Sequence, residues 1–445
     1  MKEQHIDIME KFSPKKYIQN AGFKSLMDIQ QQSVDAFQKF NEVQLFSKTG
    51  SGKTLAFLLS VLSKLDPNKS EVQAIILAPS RELCIQINDV FRSLKPNFKS
   101  TVCYGGHSMQ EEKNSLSVAP AVVIGTPGRL ADHIDRNNLH LQKCGFLVID
   151  EFDKCLEFGF NDDMSYITRQ LLALENKMLV SATKMEEVPD YVQMHKPFTI
   201  DNVQEDDFVD IQEHLVKYQG DLIEGLEDLL NSFEHERAIV FCNYREVAQD
   251  VSNQLAQKGI TSAYYHGGLD QDERERALIK FRHGSVTKLI CTDLGARGLD
   301  IPEINHVIHY QYPNSEEAFT HRKGRTARMS ASGNSYLFVG ENSKLPEYVN
   351  RPDSEINIMP SALGAVKPEW ETLYLSGGKK DKINKIDVVG FLSKKGGLER
   401  GELGVVTVLD RTSYAAVKRT KAQQVLKKVK HEKVKGKKLK IEIAM

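Results

Sequence analysis

The chain has 445 residues, 40% hydrophobic and 27% charged, too long for one compact core and suited to two or three domains. The net charge of -1 conceals an asymmetry: residues 379–445 carry 19 Lys/Arg against 7 Asp/Glu, about +12, which leaves about -13 for the rest. No stretch has the length and apolarity needed to span a bilayer, and the opening MKEQHIDIMEKFSP lacks an apolar h-region, so the expectation is a cytoplasmic protein with a polyanionic partner. The six cysteines (84, 103, 144, 155, 242, 291) form no CxxC pair and lie in predicted strands and helices, which favours reduced, buried thiols over disulfides or zinc.

In chain order, the first informative stretch is SKTGSGKT (47–54), set between a strand-like VQLF and a helix-like LAFLLSVL. Gly50 and Gly52 permit a tight turn whose N–H groups and following helix N-terminus can face phosphate oxygens. Lys53 adds a point charge, and Thr54 can ligate magnesium. Ser47 stands where the general pattern GxxxxGK[ST] has glycine. The alternative is a glycine-rich turn with a chance GKT.

Short apolar runs then alternate with helix-like segments: QAIILAPS with RELCIQINDVFRSL, AVVIGTP with GRLADHI, and FLVIDEF with an amphipathic stretch. Such alternation predicts an α/β unit with a parallel sheet covered on both faces. LVIDEFDK (147–154) ends a buried run in three acids. They can be the solvated end of a strand, but with the preceding loop they read as chemistry. Asp150 can hold magnesium at terminal phosphates, Glu151 can orient and deprotonate a water, and Asp153 can bond across the cleft.

After the acidic passage DNVQEDDFVD (201–210) the alternation restarts with RAIVFCN (237–243), TSAYYHG, KLICTD (288–293) and HVIHYQYP. Two α/β units with a polar linker leave a cleft where strand carboxyl ends can meet a ligand. His306 and His309 are three apart on a strand, so they face opposite sides and read as structural. Tyr264, Tyr265 and His266 precede Gly267 and read as packing or as RNA-facing. HRKGRTAR (321–328) concentrates Arg322, Lys323, Arg325 and Arg328. If it faces the cleft, Arg325 and Arg328 can supply charge to phosphoryl transfer; otherwise it is a solvated basic face, which also suits RNA phosphates. Residues 346–367 read as a connector or as an extension packed on the second unit. The remainder reads as strand, helix, strand, strand, helix, strand, the ferredoxin-like order shared by RNA recognition motifs.

Residues 12–328 resemble the DEAD-box RNA helicases. The resemblance runs in order through GFKSLMDIQ, SKTGSGKT, APSREL, Gly105-Gly106, TPGR (126–129), DEFD (150–153), SAT (181–183), VFCN, Gln271 with Arg274, TDLGARGLD (292–300) and HRKGRTAR. It implies two tandem RecA-like α/β parallel-sheet domains, 1–203 for ATP binding and 208–345 for the helicase C-terminal part, then a 346–367 connector. Phe12 and Gln30 would read adenine, and Thr49, Gly50, Ser51, Gly52, Lys53, Thr54 and Asp300 would hold ATP. Thr54 and Asp150 would take Mg2+, with Lys53, Asp150, Glu151, Arg325 and Arg328 as the catalytic set. Asp153, Ser181 and Thr183 would couple hydrolysis to motion. Pro79, Arg81, Gly106, Thr126, Arg129, Arg274, Thr292 and Gly295 would line the RNA backbone.

Residues 368–445 resemble the small α+β RNA-recognition-motif-like domain of the DbpA-type helicases, through LYLSGGKKDKI and KVKGKKLKIEI. Tyr374 and Tyr414 are the stacking candidates, and Arg419, Lys435, Lys437 and Lys438 the cationic ones. The resemblance implies a monomeric ATP-dependent helicase acting on structured ribosomal RNA during large-subunit assembly; an ATP-gated RNA clamp with little unwinding, or a DNA-acting motor, are the rivals. Departures from the family pattern are Leu26-Met27-Asp28 before Ile29-Gln30, Ser80, Phe152 in place of alanine, and Ala327 in place of glycine.

Overall fold

The runs Ala74–Leu77 (β2), Val122–Gly125 (β4) and Phe146–Ile149 (β5) are buried at every position, as strands covered on both faces must be. With Glu42–Ser47 (β1), Ser100–Cys103 (β3), Asn176–Ser181 (β6) and Phe198–Asn202 (β7) they form a seven-stranded sheet ordered β3-β4-β2-β5-β6-β1-β7. Every pairing is parallel. Successive side chains point to opposite faces: Ile76, Ile124 and Val148 enter one core, Ile75, Val123 and Leu147 the other. The computed structural model describes residues 12–47, 50–184, 187–202, 211–218, 220–293, 304–326, 332–339, 344–352, 354–358 and 365–444.

The chain divides into two compact units, one built on β1–β7 and one on the strands that follow. The second unit holds Ile211–Lys217 (β8), Ala238–Cys242 (β9), Ser262–Tyr265 (β10), Lys288–Thr292 (β11), His306–His309 (β12), Gly333–Val339 (β13) and Ser354–Asn357 (β14) in a parallel sheet ordered β10-β11-β9-β12-β13-β8-β14. His306 and His309 do part to opposite faces. His306 stacks on Phe233 with its Nε2 2.6 Å from Glu236, whereas His309 lies 3.2 Å from Ser335 and beside Phe319.

Residues 346–367 are more than a tether. β14 adds an edge strand to β8, and Val349 is buried with Leu215, Phe319 and Leu337. The packed extension is therefore the arrangement observed across the described part of that passage.

Trp370–Leu375 (β15), Leu403–Val408 (β16), Ser413–Lys418 (β17) and Ile441–Ile443 (β18) form an antiparallel sheet ordered β16-β17-β15-β18. The helices Lys385–Lys394 and Arg419–Val429 cover one face, where Leu373, Leu375, Ala415 and Val417 meet Val388, Leu392 and Val425. Capping explains where the first of these helices starts: Asn384 accepts from the Asp387 amide at 3.0 Å while Asp387 accepts from the Asn384 amide at 2.8 Å. All six cysteines are free and buried, and no described helix is long and apolar enough to cross a membrane.

At the end of β4 the backbone runs close to its neighbours. A Cβ on Gly125 would lie 2.6 Å from the Cys103 carbonyl oxygen and 2.7 Å from Leu130 Cγ. We expect Gly125→Ala to destabilise the first unit by ~1–3 kcal/mol through overpacking, read as a lower urea midpoint at unchanged slope; an unaltered midpoint would show that β4 can shift to make room.

Candidate functional site

The carboxyl ends of the first sheet gather most of the residues singled out above. The loop after β1 reaches the helix Lys53–Leu62 through Gly50 and Gly52, at φ +87° and +85°, conformations that glycine adopts without strain. A Cβ on Gly52 would also lie 2.6 Å from the Gln30 side-chain nitrogen. Gln30 is held in turn by accepting from the Met27 amide at 2.9 Å, so the candidate adenine reader leans on the loop itself. Lys53 donates back to the Ser47 carbonyl at the end of β1. Burial pushes the Lys53 ammonium below its ordinary range, and Asp150, Glu151 and Asp153 pull it back up.

Asp150 terminates β5 at 3% exposure. Its carboxyl is pushed up to about 7, chiefly by burial and then by Glu151, against the attraction of Lys53. Asp150 accepts from the Glu151 amide at 2.9 Å, and Glu151 stands at φ +46°, ψ 52°, an unusual conformation for a non-glycine residue. Thr183, just past β6, donates to Asp153 at 3.4 Å, and its amide donates to Ser181 at 3.2 Å. The two strand ends thus share one polar chain. Asp153 Oδ1 and Ser51 Oγ are buried without a protein partner among the described residues. An acceptor and a hydroxyl left open beside a partly buried cation fit a group that brings its own donors and acceptors, as a metal-bound polyphosphate does.

Farther along the same edge, Ser80 caps the helix Arg81–Ser93 by accepting from Leu83 at 3.2 Å. Arg81 donates to the Gly105 carbonyl and lies over the Tyr104 ring. Gly106, at φ +81°, leaves the space that the Arg81 guanidinium fills. Thr126 opens the helix Pro127–Asp135, from which Arg129 donates to Glu112 at 2.7 Å and to the His107 carbonyl at 2.6 Å. Glu112 collects more: the Tyr104 amide donates to it at 3.1 Å, and His133 Nε2 lies at 2.7 Å. Burial alone would raise this carboxyl, but the bonds from His107, His133 and Arg129 hold it at about 2. Glu112 was not among the residues singled out in the sequence. Its one signal is a place four residues before the buried Leu116 on the helix Met109–Leu116.

In the second unit, Thr292 is buried at the end of β11, and Arg274, on the helix Gln271–Arg282, lies over the Tyr265 ring at 5.4 Å. HRKGRTAR is divided by the structure. Arg322, 1% exposed, makes a two-pronged pair with Asp293 at 2.6 and 2.7 Å, donates to Gln311 O and Asn243, and covers Phe241. It is internal scaffolding. Arg325 follows the helix Glu316–Lys323, which carries Arg322, at 6% exposure. Thr49, Gly295, Asp300 and Arg328, like Ala327, lie outside the described residues. Phe12 packs against the first core and tilts on Tyr17 at 5.8 Å.

In the C-terminal domain Tyr374 and Tyr414 sit opposite each other on β15 and β17, with ring centroids 5.7 Å apart. Arg419 is engaged by Glu371 at 2.7 Å and by the Pro368 and Trp370 carbonyls. Lys435 pairs with Asp387 at 2.8 Å and Lys437 with Asp381 at 3.0 Å, both on the exposed surface, and Lys438 is exposed.

Residues 27–191 match the DEAD/DEAH box helicase family, 221–330 the helicase conserved C-terminal domain and 372–443 the DbpA RNA binding domain. The ATP-dependent RNA helicase DbpA of Escherichia coli (strain K12) is 31% identical over 434 residues, covering 94% of this chain and 94% of its own. This chain belongs to the DbpA-type DEAD-box ATP-dependent RNA helicases. The Bacillus subtilis (strain 168) DbpA is 29% identical over 465 residues, across 95% of this chain and 96% of its own. Among solved structures, Saccharomyces cerevisiae Dbp5 bound to RNA and ADP BeF3 aligns at TM-score 0.66 and 27% identity, covering 75% of this chain and 88% of its own. Mss116p bound to ssRNA and AMP-PNP aligns at TM-score 0.64 and 26% identity, covering 76% of this chain and 73% of its own. The two parallel-sheet domains are RecA-like, and the protein is an ATP-hydrolysing, RNA-binding enzyme.

In a DbpA-type helicase the raised Asp150 has a measurable consequence. A carboxyl that titrates higher folded than unfolded removes stability as it ionises: the loss is absent below about pH 4 and complete above about pH 7. Asp150→Asn should therefore stabilise the nucleotide-free protein by ~2–4 kcal/mol at pH 8 and by almost nothing at pH 4, in thermal melts across that range. Equal effects at both pH values would contradict the environment described for Asp150.

Proposed function

We propose that this helicase uses ATP to bind and locally unwind or remodel structured RNA, with ribosomal RNA during large-subunit assembly as its substrate and the cytoplasm as its setting, and that it works as a monomer. The division into 1–203, 208–345 and 368–445 belongs to the same proposal. The observation that carries it is the cluster at the ends of β1, β5 and β6, where a partly buried lysine faces three acids and one of those acids bonds to Thr183.

In this reading Phe12 and Gln30 select adenine, Thr49, Gly50, Ser51 and Gly52 belong to the loop that binds the phosphates, and Lys53 adds its charge. Thr54 and Asp150 are the residues that would hold Mg2+. When bound, the ion neutralises charge on the terminal phosphates. Asp150 would then have a cationic partner, which favours its ionised form. Glu151 takes the proton of the attacking water, and Arg325 and Arg328 stabilise charge on the transferring phosphoryl group. Asp300 contacts the nucleotide.

Pro79, Arg81, Gly106, Thr126, Arg129, Arg274, Thr292 and Gly295 grip the RNA backbone, which lets the core act on many sequences. The Asp153–Thr183–Ser181 chain relays the state of the nucleotide to the neighbouring strand end. Lysines of the C-terminal domain anchor the enzyme to its target.

Glu151→Gln should retain ATP binding and lower turnover by about 100-fold or more, because the carboxamide keeps the shape and loses the base. Turnover within about threefold of the parent in a phosphate-release assay with saturating RNA would remove Glu151 from that role. Strand displacement from a labelled RNA duplex by the parent protein separates an unwinding enzyme from an ATP-gated clamp, which would hydrolyse ATP and leave the duplex paired.

A further inference from the structure

Three buried side chains with metal-binding atoms converge at the carboxyl end of β3. Cys103 ends that strand, Glu112 lies on the helix Met109–Leu116 and His133 on the helix Pro127–Asp135. Each is at most 1% exposed. The Cys103 sulfur, a Glu112 carboxylate oxygen and a His133 ring nitrogen all lie within 4.8 Å of one another. Ligand atoms around a tetrahedral zinc ion stand about 3.3–3.6 Å apart, so closing the set takes shifts of roughly 1 Å. A fourth donor is at the rim: His107 Nδ1 is 3.3 Å from Glu112 Oε1, and its side chain, 36% exposed, is the one of the four open to solvent. Thiol, imidazole and carboxylate are the donors zinc takes, whereas magnesium and calcium require oxygen. The surroundings suit bound ligands. Asn138 Nδ2 lies 3.4 Å from His133 Nδ1, Glu112 accepts from the Tyr104 amide at 3.1 Å, and Leu116 and Leu130 belong to the same apolar core as Cys103.

We propose that Cys103, Glu112 and His133, with His107 at the rim, form a zinc site that clamps β3 to the two helices. Binding exchanges protons for the ion. Cys103 gives its thiol proton to solvent and binds as thiolate, while the His133 proton that faces Glu112 from Nε2 moves to Nδ1, where the Asn138 side chain, with its amide turned over, accepts it. Thiolate and carboxylate together balance the charge of the ion. Arg129 is the competing cation, its Nε 2.7 Å from Glu112 Oε2. That bond can stay, because the ion needs only the lone pair now turned to His133 Nε2, 2.7 Å away. Glu111, 3.6 Å from His107, and Asp132, 3.9 Å from Arg129, add negative charge close by. Zinc thus takes the place of protons and reinforces the scaffold around Glu112. Spacing alone does not disclose the set, whose buried members stand 9 and 21 positions apart on three elements.

Cobalt(II) makes such a site visible. Full-length protein freed of metal with a chelator and titrated with Co2+ should develop a thiolate-to-cobalt charge-transfer band and the visible bands of a tetrahedral ion, saturating at about one equivalent and lost on adding Zn2+. Cys103→Ala should lose the charge-transfer band, and His107→Ala, a change at the exposed rim that spares the core, should weaken cobalt binding by about tenfold or more. In thermal melts, free Zn2+ held at about 100 times its Kd should raise the transition of the first unit by about 5 °C or more in the parent and by less than about 1 °C in Cys103→Ala. Far-ultraviolet circular dichroism without metal verifies that each variant is folded; if Cys103→Ala is not, Cys103→Ser takes its place. Absence of the charge-transfer band in the parent, or its survival at full strength in the Cys103 variant, would overturn the site. Unchanged cobalt affinity in His107→Ala, with the band still dependent on Cys103, would strike His107 from the ligands and leave the buried three supported.

Discussion

The first unit is organised around one unfavourable act, the burial of a carboxyl group at the tip of a parallel strand. Asp150 ends a strand whose preceding four residues are wholly buried, so its desolvation is a consequence of the sheet and not of the loop. An isolated carboxylate there would cost several kcal/mol. Lys53, brought by the glycine turn after β1, offsets only part of that cost, since the carboxyl still titrates well above its usual range. The parallel order β5-β6-β1 places both groups at one edge, and a pocket poised in this way gains stability from any ligand that adds positive charge beside Asp150.

Glu112 provides the contrast. It is as deeply buried as Asp150, yet its carboxyl is held near 2 by donors from three directions. Its role is to bind Arg129, His133 and the Tyr104 amide into one scaffold that fixes the loops bearing Gly106 and Thr126. A saturated buried acid of this kind is structural; one left with a raised affinity for protons is ready to exchange its partner. Arg322 is saturated in the same manner: its donors are committed to Asp293, Gln311 and Asn243, and so it steadies the strand end at Thr292.

These distinctions set the limit of what the residues alone disclose. The strand runs and the glycine turn are local signals recoverable from spacing, and the ordered helicase segments are legible through resemblance to a known family. The use of an individual charge is not local. Arg322 belongs to a basic cluster in the sequence, and only the position of Asp293 on another element makes it part of a buried ion pair. Likewise Tyr374 and Tyr414 advertise an aromatic sheet face in the sequence, but the residues that meet that face, Ile279, His283 and Ser285, stand about ninety or more positions earlier. β14 was ambiguous for a related reason: an edge strand paired on one side needs little apolar patterning, and Ser354–Asn357 shows none that is continuous.

Phe152 shows how the family pattern tolerates change beside its most demanding residues. The backbone of Glu151 sits in the left-handed region, which turns the next side chain away from the acids and into the core. Phe152 is fully buried there, in the cluster that includes Ile149, Cys155, Met164 and Ile167. An alanine at this position would leave most of that volume to be filled by other side chains. The larger ring therefore belongs to the packing beneath the pocket, and its neighbours must be matched to it. Because Phe152 opens the helix Phe152–Glu157 directly after Asp150 and Glu151, the fit of its ring sets how firmly Asp150, Glu151 and Asp153 are held relative to the sheet.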